Sequence, residues 1–344
     1  MLLSNASNAV LSKAMAMYGK RLTIKDYNSL LNCTSVSEVV NYLKNHTHYN
    51  VLLEKENESQ IHRGRLEFLL RQELLRQLAL LCKYEISVGE EIYEFITEKT
   101  VVEELSRFLI LFSAGKSNEY LYSLSLYFND IIDIDLTALP NVKNYSDLLN
   151  ILKGSRYYDA FNNHKPSNGI IDKTSIENDL YKGLYDHIFE IIRKHTRGKE
   201  RKQLENLFMS NLNAELIEKA IRLKKFYGLK GSDLKEKLLP YSTFSESQIN
   251  AICNAEKSKD IFKIIERTGT GHKIKKIKYA YSGEISEKLI HRQCKNNMRF
   301  STYPSVILLS YMFLAGNELK NIISIIEGVR YNVSPETIKS ILIY

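Results

Sequence analysis

Apolar residues recur three and four positions apart along most of this chain, which predicts long amphipathic helices rather than strands. In RLEFLLRQELLRQLALL, Leu66, Leu70, Leu74 and Leu78 fall on one face beside Leu75 and Leu81. In DLYKGLYDHIFEII, Leu180, Leu184, Ile188 and Ile192 repeat that spacing, and the two patterns superimpose with Leu66 on Leu180. Both stripes are read as core-facing. The most apolar run, Val306 to Gly316, falls short of the roughly 20 residues that span a bilayer. It predicts a buried helix that starts at Pro304, with a short terminal helix after Ser334 and Pro335.

The helical pattern repeats. VSEVVNYLKNHTHY (Val36 to Tyr49) matches YSDLLNILKGSRYY (Tyr145 to Tyr158), with Glu38 on Asp147, 109 residues further on. A weaker third copy, SKDIFKIIERTGTG (Ser258 to Gly271), places Asp260, Ile261, Phe262, Ile264 and Ile265 on Glu38, Val39, Val40, Tyr42 and Leu43. Upstream, YNSLLN (Tyr27 to Asn32) aligns with INAICN (Ile249 to Asn254). Each copy reads as a helix that a Ser or Asp caps at its start and a Thr, Gly or Ser ends. Three units follow, at about 1–112, 113–225 and 226–344. Each is long enough to hold its own core. The expected fold is all-α, with three similar helical domains around a pseudo-threefold axis, funnel-shaped and enclosing a central concavity.

Composition supports helices: 15 Gly and 5 Pro in 344 residues are too few for the many turns of an all-β protein. The excess of 48 Lys and Arg over 40 Asp and Glu gives a net charge of +8, which favours an acidic partner or an anionic surface. Cys33, Cys82, Cys253 and Cys294 lie far apart with no CxxC pair, so free and mostly buried thiols in a reducing compartment are expected. The opening residues carry no secretory pattern, and a cytoplasmic protein is expected.

No catalytic, cofactor-binding or metal-ligating residue is assigned. GxSxG, HExxH and GxxxxGK[ST] are absent, and GTGHKIKK (Gly269 to Lys276) lacks the second glycine placement and the hydroxyl after the lysine of a phosphate loop. His46 and His48 close a repeated helix and are read as a solvent-exposed turn. RGKERK (Arg197 to Lys202) and KIKKIK (Lys273 to Lys278, followed by Tyr279) are read as solvated loops. Together with the net charge, they motivate one alternative, a helical nucleic-acid-binding scaffold that would use lysines for phosphates and tyrosines for stacking. The chain has 22 Tyr and no Trp, and Tyr157, Tyr158, Tyr303 and Tyr311 fall at unit junctions, where they suit interfaces or core positions with a polar tip.

The two ends of the chain resemble the C/d family of V-type and A-type ATPase subunits, named C in prokaryotes and d in eukaryotes. The opening motif falls on Asn8, Ala9, Arg21, Leu22, Tyr27, Leu30, Leu31, Leu43, Thr47 and Tyr49. The closing motif falls on Tyr311, Glu318, Leu319, Asn321, Ile322, Gly328, Pro335, Glu336 and Ile338. In the middle, Arg222 and Lys224 keep the basic pair of the family's second unit. The resemblance implies a non-catalytic central-stalk protein without a cofactor. It would sit peripherally on the cytoplasmic face of the membrane, its partners being the central shaft subunits and the proteolipid ring, and transmit torque for ion transport.

Overall fold

In a computed structural model the chain is helical throughout, with no β-strand among the described residues, which are 2–58, 60–85, 88–122, 134–166, 169–279 and 281–344. Side chains are described from Ala9 onward, apart from Leu121 and Tyr122, so the side chain of Asn8 lies outside the described residues. The helices are α1 (Leu2–Gly19), α2 (Ile24–Leu31), α3 (Val36–His46), α4 (Asn50–Leu53), α5 (Arg63–Tyr84), α6 (Gly89–Ser113), α7 (Tyr145–Leu152), α8 (Tyr158–Asn162) and α9 (Lys173–His195). They continue with α10 (Gly198–Tyr227), α11 (Gly231–Glu236), α12 (Glu246–Asn254), α13 (Ser258–Ile265), α14 (Gly269–Ile274), α15 (Ile285–Phe300), α16 (Pro304–Arg330) and α17 (Pro335–Ile341). RGKERK, expected as a loop, opens α10 instead, because its glycine takes the strained turn (Gly198, φ 59°) and a run of good helix formers follows.

The chain divides into two compact units. One comprises Met1–Glu90, Gly198–Leu207 and Glu287–Tyr344; the other comprises Glu91–Arg197 and Phe208–Ser286.

In the first unit α16 is the central element and packs against α1, α2, α3, α5 and α17. Pro304 opens it at a position where the missing N–H costs no hydrogen bond. At 27 residues α16 passes for a membrane span by length and composition, being longer than its apolar run. Its apolar residues are nevertheless taken up by the protein core: Val306, Ile307, Leu308, Leu309, Ile322, Ile325 and Ile326 are all buried. Of these, Ile322, Ile325 and Ile326 meet Leu30, Val39, Leu43, Leu66 and Leu70 from the opening helices in one cluster. The stripe read on α5 is confirmed at Leu66, Leu70, Leu78 and Leu81, with Leu74 partly buried against the same cluster.

In the second unit the stripe on α9 is buried at all four positions, Leu180, Leu184, Ile188 and Ile192. Asn213 of α10 gathers the surrounding turns. Its amide N–H groups reach the hydroxyls of Thr243 (2.6 Å) and Thr270 (3.0 Å), and its carbonyl oxygen accepts from Thr243 N (3.0 Å) and Ser242 Oγ (3.1 Å). Lys224 donates to the carbonyls of Cys253 (2.6 Å) and Ala255 (2.9 Å), satisfying acceptors that the end of α12 leaves over.

The repeat is visible at atomic detail. Thr23 and Asp26 form a capping box on α2, and Ser245 and Gln248 form one at the aligned positions on α12. On α3 the Glu38 amide donates to the Ser35 hydroxyl, and the Glu38 carboxylate accepts from Thr34 N at 2.7 Å. On α7 Asn144 and Asp147 reproduce this pattern, with Lys143 N donating to Asp147 at 3.2 Å. The expected Ser or Asp cap therefore holds for the first copy only. Asparagine serves in the second, and in the third Lys257 provides no side-chain cap.

Two aligned core positions agree in all three copies: Val39, Leu148 and Ile261 are fully buried, as are Leu43, Leu152 and Ile265, whereas Val40 is buried and its counterparts Leu149 and Phe262 are half-buried. In all three copies a hydroxyl closes the turn by donating to the carbonyl of that last aliphatic. Thr47 bonds Leu43 at 2.5 Å, Ser155 bonds Leu152 at 2.7 Å and Thr268 bonds Ile265 at 2.6 Å.

GTGHKIKK proves to be a packing device. Thr270 is buried against Asn213, and a Cβ on Gly271 would sit 2.1 Å from the Ile265 carbonyl oxygen, so only glycine lets α14 fold back on α13. The substitution G271A is expected to destabilise the protein by about 2 kcal/mol or more. Thermal denaturation of that variant measures this, and an unchanged midpoint would contradict so close an approach.

Candidate functional site

α16 carries one carboxylate in the middle of its buried face, Glu318. An apolar helix can bury such a group only if donors reach it. One comes from the turn between α1 and α2, where Leu22 N–H donates at 2.7 Å. The other is the hydroxyl of buried Tyr49, ahead of α4, at 3.1 Å. One turn further along α16, Asn321 donates to the Tyr27 hydroxyl (3.2 Å) and to the Ile343 carbonyl (2.7 Å), and accepts from Ile343 N–H (3.1 Å). Tyr344 stacks on Tyr27 at 4.7 Å with 16° between the rings. On the same helix Gly328 gives α17 room to close, since a Cβ there would lie 2.4 Å from Ile338 Cδ1.

The residues of the two terminal motifs are thus brought together in one latch: Leu22, Tyr27 and Tyr49 meet Glu318 and Asn321, while Leu30, Leu31, Leu43, Leu319, Ile322 and Ile338 share the core beneath. Thr47 sets the turn that aims Tyr49, accepting from Tyr49 N–H at 3.2 Å. Tyr311, buried one face along, donates to Gln77 of α5 at 2.9 Å.

Burial is the main influence on the Glu318 carboxyl and pushes it up to about 7, although the bonds from Leu22 and Tyr49 oppose the shift. The same groups border a cavity of about 650 Å3, lined also by Arg21, His48, Glu73, His291 and Lys295. His48 is therefore not on a solvent-exposed turn as expected. It is half-buried, with Nε2 3.8 Å from Glu318, and desolvation holds it below the usual histidine range; His46 is exposed, beside the Tyr42 ring. The local pattern could not separate the two histidines, because what buries His48 is α16, some 270 residues away in sequence.

In the second unit, a group that sequence reasoning missed comes together. Glu94 and Glu98 lie one turn apart on α6, and their carboxylates and the His187 imidazole fall within 4.8 Å of one another, an arrangement able to hold a metal ion. Arg156, from the turn between α7 and α8, already pairs with both carboxylates, and His187 Nδ1 is 2.7 Å from Glu98. The guanidinium supplies the positive charge that buried Glu98 requires. The acidic pair at i and i+4 was the signal present in the sequence; its partners were not.

The basic run KIKKIK is broken up by the fold. Lys273 donates to Ser210, Lys275 pairs with Glu266, and Ile274 is buried. Cys82, Cys253 and Cys294 are buried free thiols and Cys33 is half-buried, with burial raising Cys33 to about 11 and Cys82 to about 12. Of the junction tyrosines, Tyr157 and Tyr311 are core and Tyr158 and Tyr303 are half-buried.

The profile of a family described as ATP synthase (C/AC39) subunit matches residues 10–341. Among curated proteins, the C subunit of the A-type ATP synthase of Pyrococcus furiosus is 24% identical over 212 residues, covering 60% of this chain and 56% of that protein. Its counterpart in Pyrococcus abyssi, also an A-type ATP synthase C subunit, is 23% identical over 215 residues, with the same shares covered. The aligned stretch spans little more than half the length of these relatives.

A carboxyl whose folded pKa is raised binds more protons in the folded than in the unfolded state, so its contribution to stability is greatest at low pH. It is lost as pH rises from about 4.5 to about 7, the reverse of a salt-bridged carboxylate. The span corresponds to about 3 kcal/mol. E318Q keeps an acceptor for Leu22 N–H, offers an amide N–H that the Tyr49 hydroxyl can accept, and removes the titration, so its stability, followed by chemical denaturation over that range, is expected to lack the fall. A slope as steep as in the parent would assign the dependence to other groups.

Proposed function

Because the chain belongs to the ATP synthase (C/AC39) subunit family, we propose that it is a non-catalytic central-stalk component of an A/V-type rotary ATPase, joining the rotating shaft to the membrane proteolipid ring and passing torque between them. The observation that carries this reading is the family match along nearly the whole chain, residues 10–341. The names of the Pyrococcus relatives agree with it.

On this reading ATP hydrolysis and ion transport belong to other subunits, and the chain sits peripherally on the cytoplasmic face. The three-unit plan, at about 1–112, 113–225 and 226–344 around a pseudo-threefold axis, is part of the proposal. It is supported by the aligned capping boxes on α2 and α12 and by the three hydroxyl-closed turns. Such a part needs a core that holds its form under load, and the latch of α16 onto the opening helices serves that need in the first unit.

The alternative of a nucleic-acid scaffold loses its main motive, since the lysines of KIKKIK are partly engaged by Ser210 and Glu266.

Affinity purification of the tagged full chain from detergent-solubilised membranes is expected to recover shaft and proteolipid subunits together with ATPase activity. Recovery of the chain alone, under conditions that keep the rest of the ATPase assembled, would refute the rotor role.

A further inference from the structure

The cavity of the first unit carries a charge pattern that the Glu318 latch does not use. α15 is basic, with Lys288, Arg292, Lys295 and Arg299 about one turn apart; Lys288 and Arg292 have partners of their own, and Lys295 lines the cavity. His291 and Lys295, four residues apart and so on one face of α15, both line the cavity. Arg21, from the turn between α1 and α2, lines it as well. Its guanidinium lies 4.0 Å over the Tyr18 ring and donates to the Tyr18 carbonyl at 2.9 Å, so it is held in place without a carboxylate.

Lys25 and Lys295 also border the cavity, and neither has a hydrogen-bond or ion-pair partner among the described residues. The cavity's acids have hydrogen-bond partners of their own, although the Arg21 charge also reaches Glu318. Glu73 accepts from Arg76 and Gln77, and Glu318 from Leu22 and Tyr49.

His291, half-buried between these cations, is pushed down to about 4 by burial and by the charges of Lys295 and Arg21. Burial is the larger influence on that imidazole and the two cations add to it, so an anion bound beside them would be favoured. Besides Lys25 and Glu318, the other titratable groups around the same space are Tyr18 on α1, Tyr27 on α2, His48 and Tyr49 ahead of α4, Glu73 on α5, Tyr311 on α16 and the terminal Tyr344.

Shape decides the class of anion. A concavity of about 650 Å3 is the size of a small-molecule site. A bilayer surface or a nucleic-acid strand is met by an extended face instead. A guanidinium and an ammonium that line one cavity and both act on His291 suit the oxygens of a phosphate, which accept from either. We propose that this cavity, where Arg21, His291 and Lys295 line it, binds the phosphate group of a small phosphorylated molecule. The site is independent of the rotor role, and either could fail without the other.

The test is calorimetric titration of the full chain with inorganic pyrophosphate at low salt, beside the site variants R21A and K295A and the control K263A, whose lysine lies in the second unit. Saturable binding is expected, weakened at least about tenfold in R21A and K295A and unchanged in K263A. In the parent protein, histidine-selective NMR is expected to show His291 titrating higher by about a unit or more when pyrophosphate is bound, a readout that needs no variant to fold. Absence of saturable binding, equal weakening in K263A, or an unmoved His291 would overturn the site. Binding to phosphatidylserine vesicles with none to pyrophosphate would overturn it equally.

Discussion

The first unit depends on one buried carboxylate. Glu318 sits in the middle of a 27-residue apolar helix, and its desolvation is tolerated only because Leu22 N–H and Tyr49 O–H reach it from the opening segment of the chain. That requirement fixes more than two hydrogen bonds. Sliding α16 by one turn would keep its aliphatic residues buried, since its apolar face is nearly continuous, but would move Glu318 among leucines and leave the two donors without an acceptor. Hydrophobic burial holds α16 in the core without choosing its register; the polar contact chooses it. Asn321, one turn on, repeats the constraint by binding Tyr27 and both backbone groups of Ile343.

The second unit uses a neutral hub for a similar purpose. Asn213 satisfies both ends of its amide on Ser242, Thr243 and Thr270, drawing two turns onto α10. An amide and a carboxylate fix position equally well through hydrogen bonds, but only the carboxylate carries the desolvation cost of a charge, which is why Glu318 titrates near neutrality. Glu98 shows another arrangement, in which the Arg156 guanidinium and the His187 imidazole are brought to a buried acid.

What could be read from the sequence divides along the distance over which a residue's environment is set. The stripes on α5 and α9, the start of α16 at Pro304, the cap of α17 and the matched turns all depend on neighbours within a few residues, and local spacing found them. The caps showed the limit of residue type: Asn144 does the work expected of Ser or Asp, and Lys257 stands where no side-chain cap forms. The burial of His48 and the meeting of Arg156 with Glu94 and Glu98 depend on segments far apart in the chain, and no spacing within a segment announces them. The family motifs occupy a middle ground. Their residues were legible as a resemblance, but that Leu22, Tyr49 and Glu318 form one contact was legible only in three dimensions.

A torque-bearing role gives these small contacts a mechanical reading. Helices are stiff along their axes, so a load finds the turns between them first. A turn closed by a hydroxyl onto the preceding carbonyl has fewer backbone conformations to escape into than one held by packing alone. Thr47, Ser155 and Thr268 make that closure at the same turn of the three copies, Thr47 one position later than the other two, and Gly271 removes the one atom that would prevent the third. On the rotor proposal, stiffness at the turns and register at Glu318 are complementary. The first keeps each helical pair from bending, and the second keeps α16 from sliding, so a torsional load entering at one end of the chain is carried by the whole first unit rather than absorbed in it.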